Sequence, residues 1–156
     1  MSARSLALVA DIGGTNARFA LADLDTLELS EIRQVLCADH PSLEAALGDY
    51  VGGLSQLPER AAIAVAAPVT EEDISLTNSA WFFAKEELCR NLRLKQLHVL
   101  NDFEALALSL PHLTGAELHQ IGGATPVERA AKAVLGPGTG LGVAGLGWSG
   151  DGWIAL

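Results

Sequence analysis

The 156 residues include 49% hydrophobic and 19% charged side chains, ample for an apolar core, which excludes a chain disordered throughout. The formal net charge of -9, with no Lys/Arg run to offset it, argues against a nucleic-acid partner. The length suits one domain, or one domain with part of a second.

Residues 6–10 form an apolar run broken by Asp11 and two glycines. The run is too short for a signal segment or a membrane span, so no membrane partner and a cytoplasmic address are expected. It reads as a buried strand followed by a turn. Residues 18–23 read as a second strand, with a hairpin turn at 13–16, and residues 27–37 as a third. From Pro41 the pattern turns helical. Leu43, Ala46, Leu47, Tyr50, Val51 and Leu54 share one face, Asp39 and Pro41 suit the start, and Gly52 and Gly53 suit the end. Residues 61–67 are another buried strand, closed by Pro68. A short strand or turn at 74–78, a helix at 85–92, a strand at 97–100 and a helix at 103–110 follow, the last stopped by Pro111. This order mixes an antiparallel meander with parallel crossover units in one α/β sheet.

Beyond Pro111 a polar stretch, 114–129, reads as a lobe boundary with a short strand near 118–121. Strands at 132–135 and 141–148 flank a turn at 136–140, and another strand begins at 153. The expected division is a small α/β lobe over 1–112 and the start of a larger lobe over 113–156. Two or three strands do not form a stable second domain alone, so the chain is expected to be truncated or to borrow surface from a partner. Cys37 and Cys89 form no CxxC pair and imply no disulfide framework; they read as ordinary thiols in a reducing compartment. His40, His98, His112 and His119 share no metal-binding spacing.

Four constellations carry chemistry. In Asp11-Ile12-Gly13-Gly14-Thr15-Asn16 the glycines allow close approach to a bulky anion, and consecutive N–H groups form an anion-binding nest. Asp11 suits Mg²⁺, directly or through water. Thr15 and Asn16 suit phosphate oxygens, and Arg18 adds a planar cation. A glycine pair alone is usually an ordinary hairpin turn; the Asp before it and the Thr-Asn after it favour function. In Gly136-Pro137-Gly138-Thr139-Gly140-Leu141-Gly142 glycine recurs at every second position, and the flanking apolar strands argue against a linker. Two such turns would clamp a nucleotide between two lobes. Neither matches the P-loop pattern or the dinucleotide fingerprint. Asn101-Asp102-Phe103 ends an apolar strand, where ligands gather in α/β sheets, and Asp102 there can take the proton of a substrate hydroxyl. Taken alone, Asp102 reads better as a helix cap. In residues 76–81, Thr77, Asn78 and Ser79 can bond sugar hydroxyls, and Trp81 can line a cleft or sit in the core.

Together ADIGGTNAR (10–18), LTNSAW (76–81), LNDFEA (100–105) and GPGTGLGVA (136–144), with HPSLEA (40–45), resemble the bacterial glucokinase family. The first element alone is shared with many sugar kinases. The resemblance implies an actin-like, RNase H-like α/β fold of two lobes, its small lobe ordered βββαβαβα. It also implies ATP- and Mg²⁺-dependent phosphorylation of D-glucose at the 6-hydroxyl, in a cytoplasmic homodimer. By that resemblance Asp102 matches the catalytic base and Asn101 its sugar-binding neighbour. Ala10, Asp11, Ile12, Gly13, Gly14 and Thr15 match the ATP-binding loop, with Asn16 and Arg18 continuing it. Gly138, Thr139 and Gly140 match the second phosphate loop, Gly138 and Thr139 also lying toward the substrate, and Asn78 matches a sugar contact. Family members continue beyond residue 156 with a further carboxylate, a histidine and the adenine-binding elements, so this chain alone is expected to be inactive. The alternatives are a kinase for another sugar, or a non-catalytic sugar-responsive module on the same fold. For the latter, a strand starting at residue 6 leaves no room for a preceding helix-turn-helix.

Overall fold

Alternating apolar and polar residues near the N-terminus build three antiparallel strands in the computed structural model, which describes residues 5–70, 72–76, 81–137 and 140–156. These are β1 (Leu6–Ile12), β2 (Asn16–Asp23) and β3 (Leu29–Leu36). Two later strands, β4 (Arg60–Val65) and β7 (Gln96–Asn101), run parallel to β1 and complete a sheet ordered β3-β2-β1-β4-β7. The meander and crossovers expected from the sequence are thus combined in one mixed sheet. Between β4 and β7 lie a small hairpin, β5 (Asp73–Ser75) with β6 (Phe82–Ala84), and the helix α2 (Lys85–Asn91).

One face of the sheet is packed. Leu8, Ala10 and Ile12 of β1 share that face with Ala61, Ile63 and Val65 of β4, because residues two apart on a strand point the same way. Helix α1 (Leu43–Gly52) covers them with Leu43, Ala46, Leu47 and Tyr50, all essentially inaccessible. Its first residue lies two after Pro41: the Ser42 hydroxyl accepts from the Ala45 N–H at 3.2 Å and caps the helix. The Tyr50 hydroxyl donates to the Glu31 carbonyl at 2.9 Å, and burial raises its pKa. Ile74, Phe83 and Leu88 bring the small hairpin and α2 into the same core. Trp81 belongs there too: it is 3% exposed and its indole N–H donates to the His40 carbonyl at 3.1 Å. Both crossovers therefore pass on one side. The other side carries Ala7, Val9, Asp11, Arg18, Ala20, Ala62 and Ala64.

The chain divides into two compact units, Met1–Asp102 and Phe103–Leu156. Helix α3 (Asp102–Ser109) begins at the division. The second unit holds a three-stranded antiparallel sheet, ordered β10-β9-β8, of β8 (Lys132–Pro137), β9 (Leu141–Trp148) and β10 (Trp153–Ala155). Trp148 and Trp153 meet edge to face at 5.4 Å, with the Arg129 guanidinium 4.8 Å from the centre of the Trp148 ring. The strand expected near 118–121 does not form. Side-chain bonds instead brace the backbone on either side of it. The Glu117 carboxylate accepts from the Thr114 N–H and hydroxyl at 2.9 and 3.0 Å, bonds that lower its pKa. The Gln120 amide donates to the carbonyls of Gly122 and Ala124.

Candidate active site

Strand register aligns the functional segments of the first unit. Ile12 pairs with Val65, and Val65 with Asn101, so β1, β4 and β7 end together. Neighbouring strands lie about 4.8 Å apart, which puts the turn after β1 and the Asn101-Asp102 segment about 10 Å from each other on one sheet edge. The Ala66 N–H extends the ladder to the Ile12 carbonyl at 3.1 Å, and the Asn101 amide donates to the Ala67 carbonyl at 3.2 Å. These bonds fix the backbone leading into Asp102, the first residue of α3.

The turn itself is closed by the Gly13 N–H donating to the Asn16 carbonyl at 2.9 Å. Glycine is needed here for closeness rather than for a left-handed backbone. A Cβ on Gly13 would lie 3.3 Å from the Asn16 oxygen, whereas the positive-φ glycines among the described residues are Gly122 and Gly150. Among the described residues the N–H groups of Gly14 and Thr15 have no hydrogen-bond partner. Two adjacent open donors are what an anion-binding nest requires. Ala10 lies one residue before Asp11 on β1, with its methyl group in the core.

Asp11 pairs directly with Arg18, and Gln34 links Arg18 to Asn16. Arg18 Nη1 donates to Asp11 Oδ2 at 2.8 Å and Arg18 Nε to Gln34 Oε1 at 3.2 Å, while Gln34 Nε2 donates to Asn16 Oδ1 at 3.1 Å. The Asp11 and Arg18 side chains are about half exposed, and such surface pairs contribute at most about 1 kcal/mol. Asp11 Oδ1 has no partner among the described residues. Mg²⁺ typically takes one or two carboxylates along with waters and substrate phosphates, so this single open carboxylate oxygen beside the turn fits such an ion. No group of three His, Cys, Asp or Glu side chains able to hold a metal occurs among the described residues.

Sequence reasoning missed Cys37. It is buried and its pKa is raised by that burial, so the thiol keeps its proton and donates to the Gly13 carbonyl at 3.4 Å. Its backbone N–H donates to the Thr15 carbonyl at 2.8 Å. Residue type gave no hint of this; the only signal was its position at the end of β3, where that strand returns beside the turn. Asn78, Gly138 and Thr139 lie outside the described residues. Gly140 immediately precedes β9 in the second unit. Gly136 and Gly142 stand opposite each other on β8 and β9, and the Phe103 ring occupies the space where their side chains would be.

The mixed sheet, with a phosphate-type turn and a strand-end Asn-Asp on one edge, is that of the actin-like sugar kinases. The profile of the Glucokinase family matches residues 8–156, and the chain belongs to that family. Glucokinases of Enterobacter sp. (strain 638) and Chromohalobacter salexigens are 43% and 40% identical over 150 and 151 residues, in each case 96% of this chain and 47% of the relative. The chain thus spans about half the length of the curated relatives it matches. A glucokinase crystal structure from an Antarctic psychrotroph has a TM-score of 0.87 and 37% identity, covering 97% of this chain and 49% of that one. A Balamuthia mandrillaris glucokinase in complex with glucose shares the fold at a TM-score of 0.67 and 22% identity, over 99% and 48% of the two chains. No helix among the described residues is long and apolar enough to cross a membrane.

Proposed function

We propose that this chain carries the phosphate-binding turn and the proton acceptor of an enzyme that transfers the γ-phosphoryl group of ATP to the 6-hydroxyl of D-glucose. The observation that carries the reading is the common ending of β1, β4 and β7, which brings the open N–H groups of Gly14 and Thr15 to the same sheet edge as Asp102. The turn at 13–15 holds phosphate oxygens through backbone N–H groups, and Gly138, Thr139 and Gly140 contribute a second set. Asn101 and Asn78 orient the sugar. Asp102 accepts the hydroxyl proton as the new P–O bond forms and the bond to ADP breaks. Asp11 is the residue that would hold Mg²⁺, which supplies charge neutralisation on the phosphates. The enzyme works in the cytoplasm as a homodimer, without nucleic-acid or membrane partners.

The test is a coupled assay with glucose, mannose, fructose and N-acetylmannosamine. It is run on the chain alone and on the chain joined to the second half of a curated relative. The joined protein is expected to prefer glucose, and the chain alone to turn over weakly or not at all. A joined protein that folds and prefers another acceptor, or none, would refute the glucose assignment.

A further inference from the structure

We infer that Cys37 is a positioning residue for the phosphate turn, acting through two carbonyl oxygens rather than by touching the nucleotide; the inference rests on the phosphate-binding reading of that turn. The carbonyls of Gly13 and Thr15 both accept from Cys37, one from its thiol and one from its N–H. In a trans peptide unit the C=O and the following N–H point in opposite directions. Anchoring these two carbonyls on Cys37 therefore turns the N–H groups of Gly14 and Asn16 away from Cys37 and the core that holds it, and of the two open donors it is that of Gly14 which this contact aims. The Gly13–Asn16 bond closes the turn from within, and Cys37 fixes its tilt from below. Cys37 is 5% exposed and packed in the main core, so its grip is backed by rigid surroundings. Cys89, by contrast, donates to the carbonyl of Leu94, beyond the end of α2, and takes no part in the turn.

The experiment compares the wild type with Cys37→Ala and Cys37→Ser by amide NMR, each in the protein joined to the second half of a curated relative. Amide hydrogen exchange is followed without ligand, and amide shifts of residues 13–16 are followed during a titration with millimolar MgATP. Alanine removes the thiol donor and serine replaces it. Loss of one hydrogen bond corresponds to about a three- to tenfold effect. Cys37→Ala should raise exchange at the Gly13 and Cys37 amides and weaken MgATP binding by that factor. Cys37→Ser should restore both, while exchange in α1 stays unchanged in all three proteins. If exchange and MgATP affinity in Cys37→Ala match the wild type, the inference is overturned and the phosphate reading stands. If the wild-type turn shows no response to MgATP, the phosphate reading falls and the inference with it.

Discussion

Replacing Asp102 with Asn lowers the turnover of glucose phosphorylation about a hundred- to ten-thousandfold, the range a positioned general base contributes. Asparagine keeps the size of the side chain and its hydrogen-bonding reach but cannot take up the hydroxyl proton. The loss therefore falls on kcat, and glucose affinity changes much less. Steady-state kinetics of the joined protein, with calorimetric titration of glucose, separates the two. A variant that phosphorylates glucose at near the wild-type rate would remove Asp102 from the chemistry and leave it as a helix-start residue. The backbone around it is well prepared for the role, since the Asn101 amide is anchored on the Ala67 carbonyl and β7 is paired along its length with β4.

The second large effect concerns Gly142. A Cβ built there comes within 1.9, 2.0 and 2.4 Å of three Phe103 ring atoms, far closer than any relaxed contact allows. At Gly136 the same construction comes within 2.7 and 2.9 Å of the ring edge. Overpacking of this kind typically costs 1–3 kcal/mol, so Gly142→Ala should destabilise by about 3 kcal/mol or more and Gly136→Ala by less. Urea unfolding of each variant checks the order. Adding Phe103→Ala to Gly142→Ala should recover part of the loss, because removing the ring opens the space that the methyl group needs. A Gly142→Ala protein as stable as the wild type would show that the ring does not occupy that position.

This second result also bears on what could be read from the sequence. The alternate glycines of residues 136–142 read as a single device for approaching phosphate. Two of them, Gly136 and Gly142, make room for an aromatic ring. Helix α1 was legible because six apolar residues at helical spacing make one stripe, and its packing onto the sheet follows from that stripe. Its starting residue was not, because Asp39, Pro41 and Ser42 are all plausible beginnings and only the Ser42 hydroxyl meets the Ala45 N–H. The β5–β6 hairpin escaped recognition as a pair because three-residue strands show no periodicity. Residues 118–121 had a strand-like composition, but they meet no ladder partner among the described residues, and side-chain bonds brace the backbone on either side of them. At the site, the turn chemistry and the strand-end Asn-Asp were visible as residue types. Their shared edge depends on register between β1, β4 and β7, and register arises from pairing over long sequence separations.

The pairing of Asp11 with Arg18 has a kinetic consequence. The two charges cancel locally, so the mouth of the turn offers an incoming polyanion dipoles but little net attraction. The molecule as a whole is strongly anionic, with a formal charge of -9. Long-range forces therefore oppose the approach of a nucleotide and act only until ions in solution screen them, over a distance of about 8 Å at physiological ionic strength. Added salt should accelerate capture of the nucleotide, the reverse of what a basic binding cleft shows, and stopped-flow association rates across a salt series would reveal the sign.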